Sequence, residues 1–191
     1  MTTVSQKHRS WAEGFTAVTE GVSDWDAPTP VAEWRARDVV RHLAQWLPGL
    51  LRSQGSTYNF GDLPSADEDP ARTWRALRDA VQRLLDDPSS ASEVLHTQMF
   101  GDLRADELVD RLYVPDVFMH TWDLARSSGQ PHGLEEAESA RMLAGLREIE
   151  DVIRSSGQFG DQQPVPADAT PTEELMAFLG RDPRWTPPPR G

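Results

Sequence analysis

Apolar residues recur at helical spacing in every long segment of this chain, and that periodicity excludes most folds. Trp11, Phe15, Val18 and Val22 fall at i, i+4, i+7 and i+11. Val39, Leu43, Leu47 and Leu50 mark a second such stripe, and Trp74, Leu77, Val81, Leu84 and Leu85 a third. Met142, Leu146, Ile149 and Ile153 mark another. Each stripe puts its side chains on one face of a helix that must be buried against a neighbour. No segment carries sustained strand alternation. An antiparallel helical bundle satisfies these faces together, so the fold class is all-α.

Punctuation residues set the boundaries. The first helix is expected over about Val4 to Val22, with His8 solvated among polar neighbours. Ser23 to Trp34 is a loop broken by Pro28 and Pro30, and Trp25 and Trp34 are expected to fold it back over the bundle. The second helix spans about Arg35 to Gln54, and Pro48 can kink or split it. Gly55 to Glu68 is turn-rich, with Tyr58 and Phe60 as lid residues. Asp69-Pro70 supplies an N-cap and a first-turn proline for a third helix ending before Pro88. Ser89 to Arg104 is irregular, with a short extended piece at Thr97 to Phe100. A fourth helix begins near Ala105 and ends at Gly129, where glycine supplies the left-handed conformation. A fifth runs from about Leu134 to Ser156. Thr170-Pro171-Thr172-Glu173 is a capping box that opens a short last helix. The bundle is expected over residues 1–182. An extended, Pro-rich tail is expected over 183–191, its final prolines disordered.

A chain of 191 residues is long enough for one sizeable core. Its net charge of -12 argues against non-specific binding to nucleic acid or to anionic membranes. Lys7 is the only lysine, an arginine bias that points to a high-GC genome. The start lacks the plan of a signal peptide and no apolar run is long enough to span a bilayer, so the expected location is cytoplasmic. There are no cysteines, which excludes disulfides, thiolate ligands and a cysteine nucleophile. A metal site must then be built from His, Asp and Glu, and any thiol chemistry must use a small-molecule thiol.

Chemistry concentrates between Tyr113 and Gly129. Asp116 and His120 stand four residues apart, on one helix face about a turn apart. Pro115 just before them can kink the helix and turn Asp116 inward, with Met119 and Trp122, or Trp46 one turn beyond His42, as apolar walls. Such a pair can grip a metal ion or form an ordinary surface or core pair. His42, among Val39, Val40 and Leu43, is the third candidate. It is either a satisfied core histidine or, if it faces the pair, the completion of a two-imidazole, one-carboxylate set. That set is the ligand set of an open zinc site, and nickel, manganese and iron also accept it. Asp123 is either an orienting carboxylate for His120 or a solvated helix residue. Gln45 is placed beside His42. His96 and His132 are placed in loops and exposed.

The segment DVFMHTWDLARSSG from Asp116 resembles the D-x-x-x-H-x-W-D-L-A-x-x-x-G hallmark of DinB-like actinobacterial metal-binding proteins. These are relatives of the N-terminal domain of mycothiol-dependent maleylpyruvate isomerase. TPVAEWRARDVVRHL is similar to that family's T-P-C-x-x-W-x-x-x-D-x-x-x-H-L, with Val31 in the cysteine's place. LMAFLGRDPRW resembles its L-G-R-D-P segment. The resemblance implies a DinB-like four-helix bundle with additional short helices and a loop-covered metal site. It implies His42, Asp116 and His120 as ligands of one divalent metal, zinc first. In the isomerase branch the carboxylate is a glutamate, so Asp116 brings the metal nearer its own helix. The isomerase also uses a second, sterol-carrier-like domain, so fold and metal are implied more directly than maleylpyruvate isomerisation.

The expected function is a thiol-dependent transferase or isomerase, with mycothiol as cosubstrate and an electrophilic small molecule as substrate. A non-catalytic metal-dependent binding protein and a metal-activated hydrolase are the alternatives. No nucleic-acid or membrane partner is expected, and the chain is expected to be a monomer or homodimer.

Overall fold

The computed structural model describes residues 2–97, 100–155 and 157–188. Four long helices make the bundle: α1 (Val4–Glu20), α2 (Ala36–Ser53), α3 (Pro70–Asp86) and, later in the chain, α6 (Val114–Ser128). Each packs against two of the others, in the cycle α1, α3, α2, α6. The fold is all-α and DinB-like. The three N-terminal stripes point inward as their spacing requires, with Phe15, Leu43, Leu47, Trp74, Leu77 and Leu84 fully buried. Pro48 lies inside α2 without splitting it.

Local chemistry explains the ends. Asp69 caps α3 by accepting from Arg72 N at 2.9 Å, with Pro70 in the first turn. Thr3 and Gln6 form a capping box on α1. The left-handed Gly129 ends α6, and Gln130 N reaches back to Ala125 O at 2.9 Å.

Between α3 and α6 the chain departs from expectation. A short α4 (Pro88–Ala91) leads into a two-stranded antiparallel hairpin, β1 (Val94–Thr97) and β2 (Gly101–Arg104). Leu95 pairs with Leu103, and both enter the core. Extended structure thus lies on either side of the piece expected at Thr97 to Phe100, of which only Thr97 is in a strand, and Gln98 and Met99 fall outside the described residues. Four-residue strands are too short for alternation to show. His96 is on β1, exposed as expected, with its Nδ1 2.7 Å from Asp102.

The helix expected from Ala105 is a composite. A single turn, α5 (Ala105–Leu108), passes into a π-helical turn over Val109–Tyr113 and then into α6. Pro115 sits in the first turn of α6, where a missing N–H costs little. The helix expected over Leu134 to Ser156 is two pieces, α7 (Glu136–Glu148) and α8 (Glu150–Ser155). Ile149 is 50% exposed at the break; Leu143 and Ile153 are the buried apolar residues of the two pieces. α9 (Pro171–Phe178) starts at the Thr170 capping box and packs on α7. These elements build a second apolar cluster against Phe118, Met119 and Trp122 of α6. The tail is tied back where Trp185 O accepts from Arg126 at 2.5 Å. Residues 189–191, with the last of the tail prolines, lie outside the described set. No helix among the described residues is long and apolar enough to cross a membrane.

Candidate metal centre

α2 and α6 lie side by side in the bundle, and this brings His42 to the Asp116/His120 pair. His42 Nε2 is 3.0 Å from Asp116 Oδ2, and His120 Nε2 is 3.4 Å from Asp116 Oδ1. One ligand atom from each residue lies within 4.8 Å of the other two. Donors bound at about 2.0–2.1 Å around one tetrahedral ion stand about 3.3 Å apart. Spacing and donor chemistry therefore both fit a small divalent cation.

The surroundings hold these groups in place. Trp46, one turn beyond His42 on α2, donates its indole N–H to Asp116 Oδ2 at 2.8 Å. Burial disfavours the charged form of Asp116, but His120, His42 and the Trp46 N–H outweigh it and hold the carboxyl below its ordinary range. His120 is 4% exposed and its Nδ1 lies 2.8 Å from Asp123 Oδ2. A carboxylate there fixes the tautomer with Nε2 free to act as a donor to a cation. Asp123 is fully buried and also accepts from Arg181 at 3.0 and 3.3 Å. Burial opposes its ionisation, yet the Arg181 guanidinium and His120 hold its pKa at about 2.

Arg181 escaped the residue-by-residue reading. The signal available was its place in LGRDPRW, but nothing local says which side chain it meets. The turn that delivers it is specific. Gly180 has φ 91°, and Arg181 N bonds to Met176 O at 2.9 Å. A Cβ on Gly180 would meet the Gly160 backbone at 2.6 Å, so only glycine fits.

Trp34 supplies the covering loop. Its ring lies 5.1 Å from that of His42 and is stacked on His120 at 5.6 Å. Thr29 N donates to Trp34 O at 2.9 Å, and Glu33 just before it takes φ 66°. A non-glycine residue in that region is strained, and here the strain aims the indole at the imidazoles.

Four expectations fail. Met119 and Trp122 do not wall the site, because at about 100° per residue Trp122 is turned about 120° from Asp116. They pack in the C-terminal cluster, while Trp46, the other expected wall, does border the site and is joined by Trp34. Gln45 shares a cavity with Tyr58 and Phe60, not with His42. His8 is not solvated; it is 1% exposed on the α3 side of α1, with Nδ1 2.8 Å from Gln82 Oε1. His132 is half-buried, and its Nδ1 accepts from Leu134 N at 3.1 Å.

A family model, the mycothiol maleylpyruvate isomerase N-terminal domain, matches residues 5–125. The chain belongs to this family. Two uncharacterized proteins, each from a strain of Mycobacterium tuberculosis, are 25% identical to it over 178 residues, which is 91% of this chain and 95% of each relative. No solved structure matches it significantly. The isomerase N-terminal-domain match takes in α1, α2, α3 and α6 as far as residue 125, and so all three clustered residues. It stops before the segment that carries Arg181.

Proposed function

We propose that the protein is a metal-dependent, thiol-using transferase or isomerase, with His42, Asp116 and His120 as the ligands of one divalent ion, zinc first. The observation that carries this reading is that one donor atom from each of the three residues lies within 4.8 Å of the other two, with no fourth His, Asp or Glu in the group among the described residues. Structural zinc is normally closed by four protein ligands, whereas three leave a position for a cosubstrate. When bound, the ion lowers the pKa of a small thiol such as mycothiol and makes it nucleophilic at neutral pH.

The chain's own residues would do the rest. Asp123 keeps the His120 proton on Nδ1, so Nε2 stays available. Trp46 pins one oxygen of Asp116 and leaves the other toward His120. Trp34 shields both imidazoles from water on one side. An electrophilic small molecule would meet the thiol on the open side, where His42 keeps about a third of its side chain exposed. With no cysteine in the chain, the thiol must be brought in. Residues 1–182 act as one unit in this reading, because Arg181 completes the support of His120.

Two measurements test it. Elemental analysis of tag-free protein purified without chelator should find about one divalent ion per chain, as one three-ligand site holds one. Calorimetric titration of mycothiol should give binding heat with zinc-loaded protein and none with the His42→Ala variant. Absence of metal even after zinc addition would remove the site. Equal heats in both proteins would remove metal-directed thiol binding and favour the hydrolase or non-catalytic reading.

A further inference from the structure

A second cavity runs along the outer face of α2 and shares no lining residue with the histidine cluster. Its volume is about 570 Å³, within the usual range for a small-molecule site. One wall is α2 from Ala44 to Arg52; the other is the loop that follows α2. That loop is fastened at several points. Ser56 and Thr57 donate to Glu93 at the foot of the hairpin, and the Tyr58 hydroxyl donates to Ala80 O at 2.7 Å. Asn59 Oδ1 accepts from Gly61 N at 2.8 Å, and Tyr58 and Phe60 meet edge to face at 5.0 Å. The cavity is thus already formed, with an aromatic wall.

Its polar content is unusual for this chain. Asp and Glu outnumber Lys and Arg by 31 to 19 overall, yet no carboxylate lines this cavity among the described residues. The one charged liner is Arg52, on the last turn of α2. The sequence itself offers a second polar group. Pro48 has no N–H, so it cannot donate to the carbonyl of Ala44 as a helical residue there otherwise would, and both residues line the cavity. A guanidinium, a backbone carbonyl two turns earlier on the same helix and an aromatic wall describe one kind of ligand.

From this we infer that the α2 cavity binds a small aromatic carboxylic acid. Arg52 takes the carboxylate, Tyr58 and Phe60 take the ring, and a hydroxyl or N–H at the far end reaches Ala44 O. The Gln45 and Asn59 amides lie at its edge and can report occupancy.

The test uses 4-hydroxyphenylacetate as probe, read by ¹H–¹⁵N NMR shifts of the full chain. Shifts should concentrate on the Gln45 and Asn59 side-chain amides and on Gly61, with Kd on the order of 1 mM, as expected for a fragment of this size. Arg52→Gln should weaken binding about tenfold or more, since one charge-assisted pair is lost. The uncharged alcohol counterpart of the probe should bind no better to the wild type than the acid does to that variant. Phe60→Ala should weaken binding as well. His120→Ala should leave it unchanged, so failure of the metal reading leaves this inference standing. Shifts centred on the Trp46 indole, equal binding of acid and alcohol, displacement by millimolar inorganic phosphate, or an unaltered Arg52→Gln variant would each overturn it.

Discussion

Two histidines in this bundle are buried almost equally, at 1% for His8 and 4% for His120, and their settings are opposite. His120 has a carboxylate at each ring nitrogen, and a buried arginine behind one of them. His8 has an uncharged amide at Nδ1, and its Nε2 has no hydrogen-bond partner among the described residues. Its neighbour Tyr113, at 6.1 Å between rings, has a buried hydroxyl that likewise finds none among them. Burial alone therefore does not single out a ligand. The two carboxylates distinguish His120 as a candidate: Asp123 at Nδ1 fixes the tautomer, and Asp116 stands beside Nε2 as a second possible donor to a cation.

The largest contrast is expected in metal content. His120→Ala should lower zinc occupancy from about one per chain to near zero, while His8→Ala should leave it unchanged, as only one of the two rings belongs to a three-ligand set. Elemental analysis of both variants reads this directly. Equal loss in both would erase the distinction drawn here.

Removing the support behind His120 should act next. Asp123→Ala leaves the largely buried Arg181 guanidinium without its carboxylate, with only the Leu179 carbonyl to accept from it, which should cost about 3 kcal/mol in urea unfolding. Arg181→Gln is milder and should weaken zinc affinity about 10–100-fold, the usual effect of losing an outer partner of a ligand. Competition with a chromophoric chelator measures it. Unchanged affinity in Arg181→Gln would mean that the C-terminal segment only packs against the site.

The His8 side should show itself in acid. Burial, the largest influence, lowers the His8 pKa below its ordinary 6.5, although the Gln82 hydrogen bond opposes it. As pH falls past 6.5 the unfolded chain takes up this proton first. The stability due to neutral His8 is thus present above that pH and lost below it. His8→Phe should flatten the fall in stability between about pH 7 and 5, seen as the difference between variant and wild-type unfolding curves. A parallel pair of curves would show that His8 is not held neutral.

Legibility in the sequence divides along the same line. Short-range patterns read well. The stripes of α1, α2 and α3, the Asp69 and Thr170 caps and the Gly129 stop each depend on residues within a few positions of one another. Asp116 and His120 were legible for the same reason, and His42 needed the family resemblance to join them. What failed depends on partners far along the chain. His8 is buried by Gln82 of α3, and Met119 and Trp122 by helices that lie beyond residue 135; Asp123 is the orienting carboxylate that was one of its two readings, but its Arg181 partner in the C-terminal segment was out of reach. The hairpin failed because four-residue strands carry too little pattern.

The smallest expected effect lies in the covering loop. Glu33→Gly should relieve the strain at φ 66° and stabilise the fold by at most about 1 kcal/mol. Glu33→Val, at the same position, should destabilise it by a similar amount. If His42→Ala metal loss is matched by Trp34→Ala, the loop contributes to the site as much as a ligand does. A loss smaller than about tenfold is the expected result for a cover.

The Arg181 to Asp123 contact also sets an order in time. About sixty residues separate His120 from Arg181. At about 5–20 residues per second, roughly 3–12 s of synthesis pass after the last clustered histidine is made and before that arginine exists. During that interval the three candidate ligands are present while Asp123 lacks its counter-charge. A nascent chain stalled between these points would hold a loosely supported cluster, open to whichever cation the surroundings offer most freely. Under the proposed function, translation pace through α7 to α9 would then bear on which ion such a site takes up.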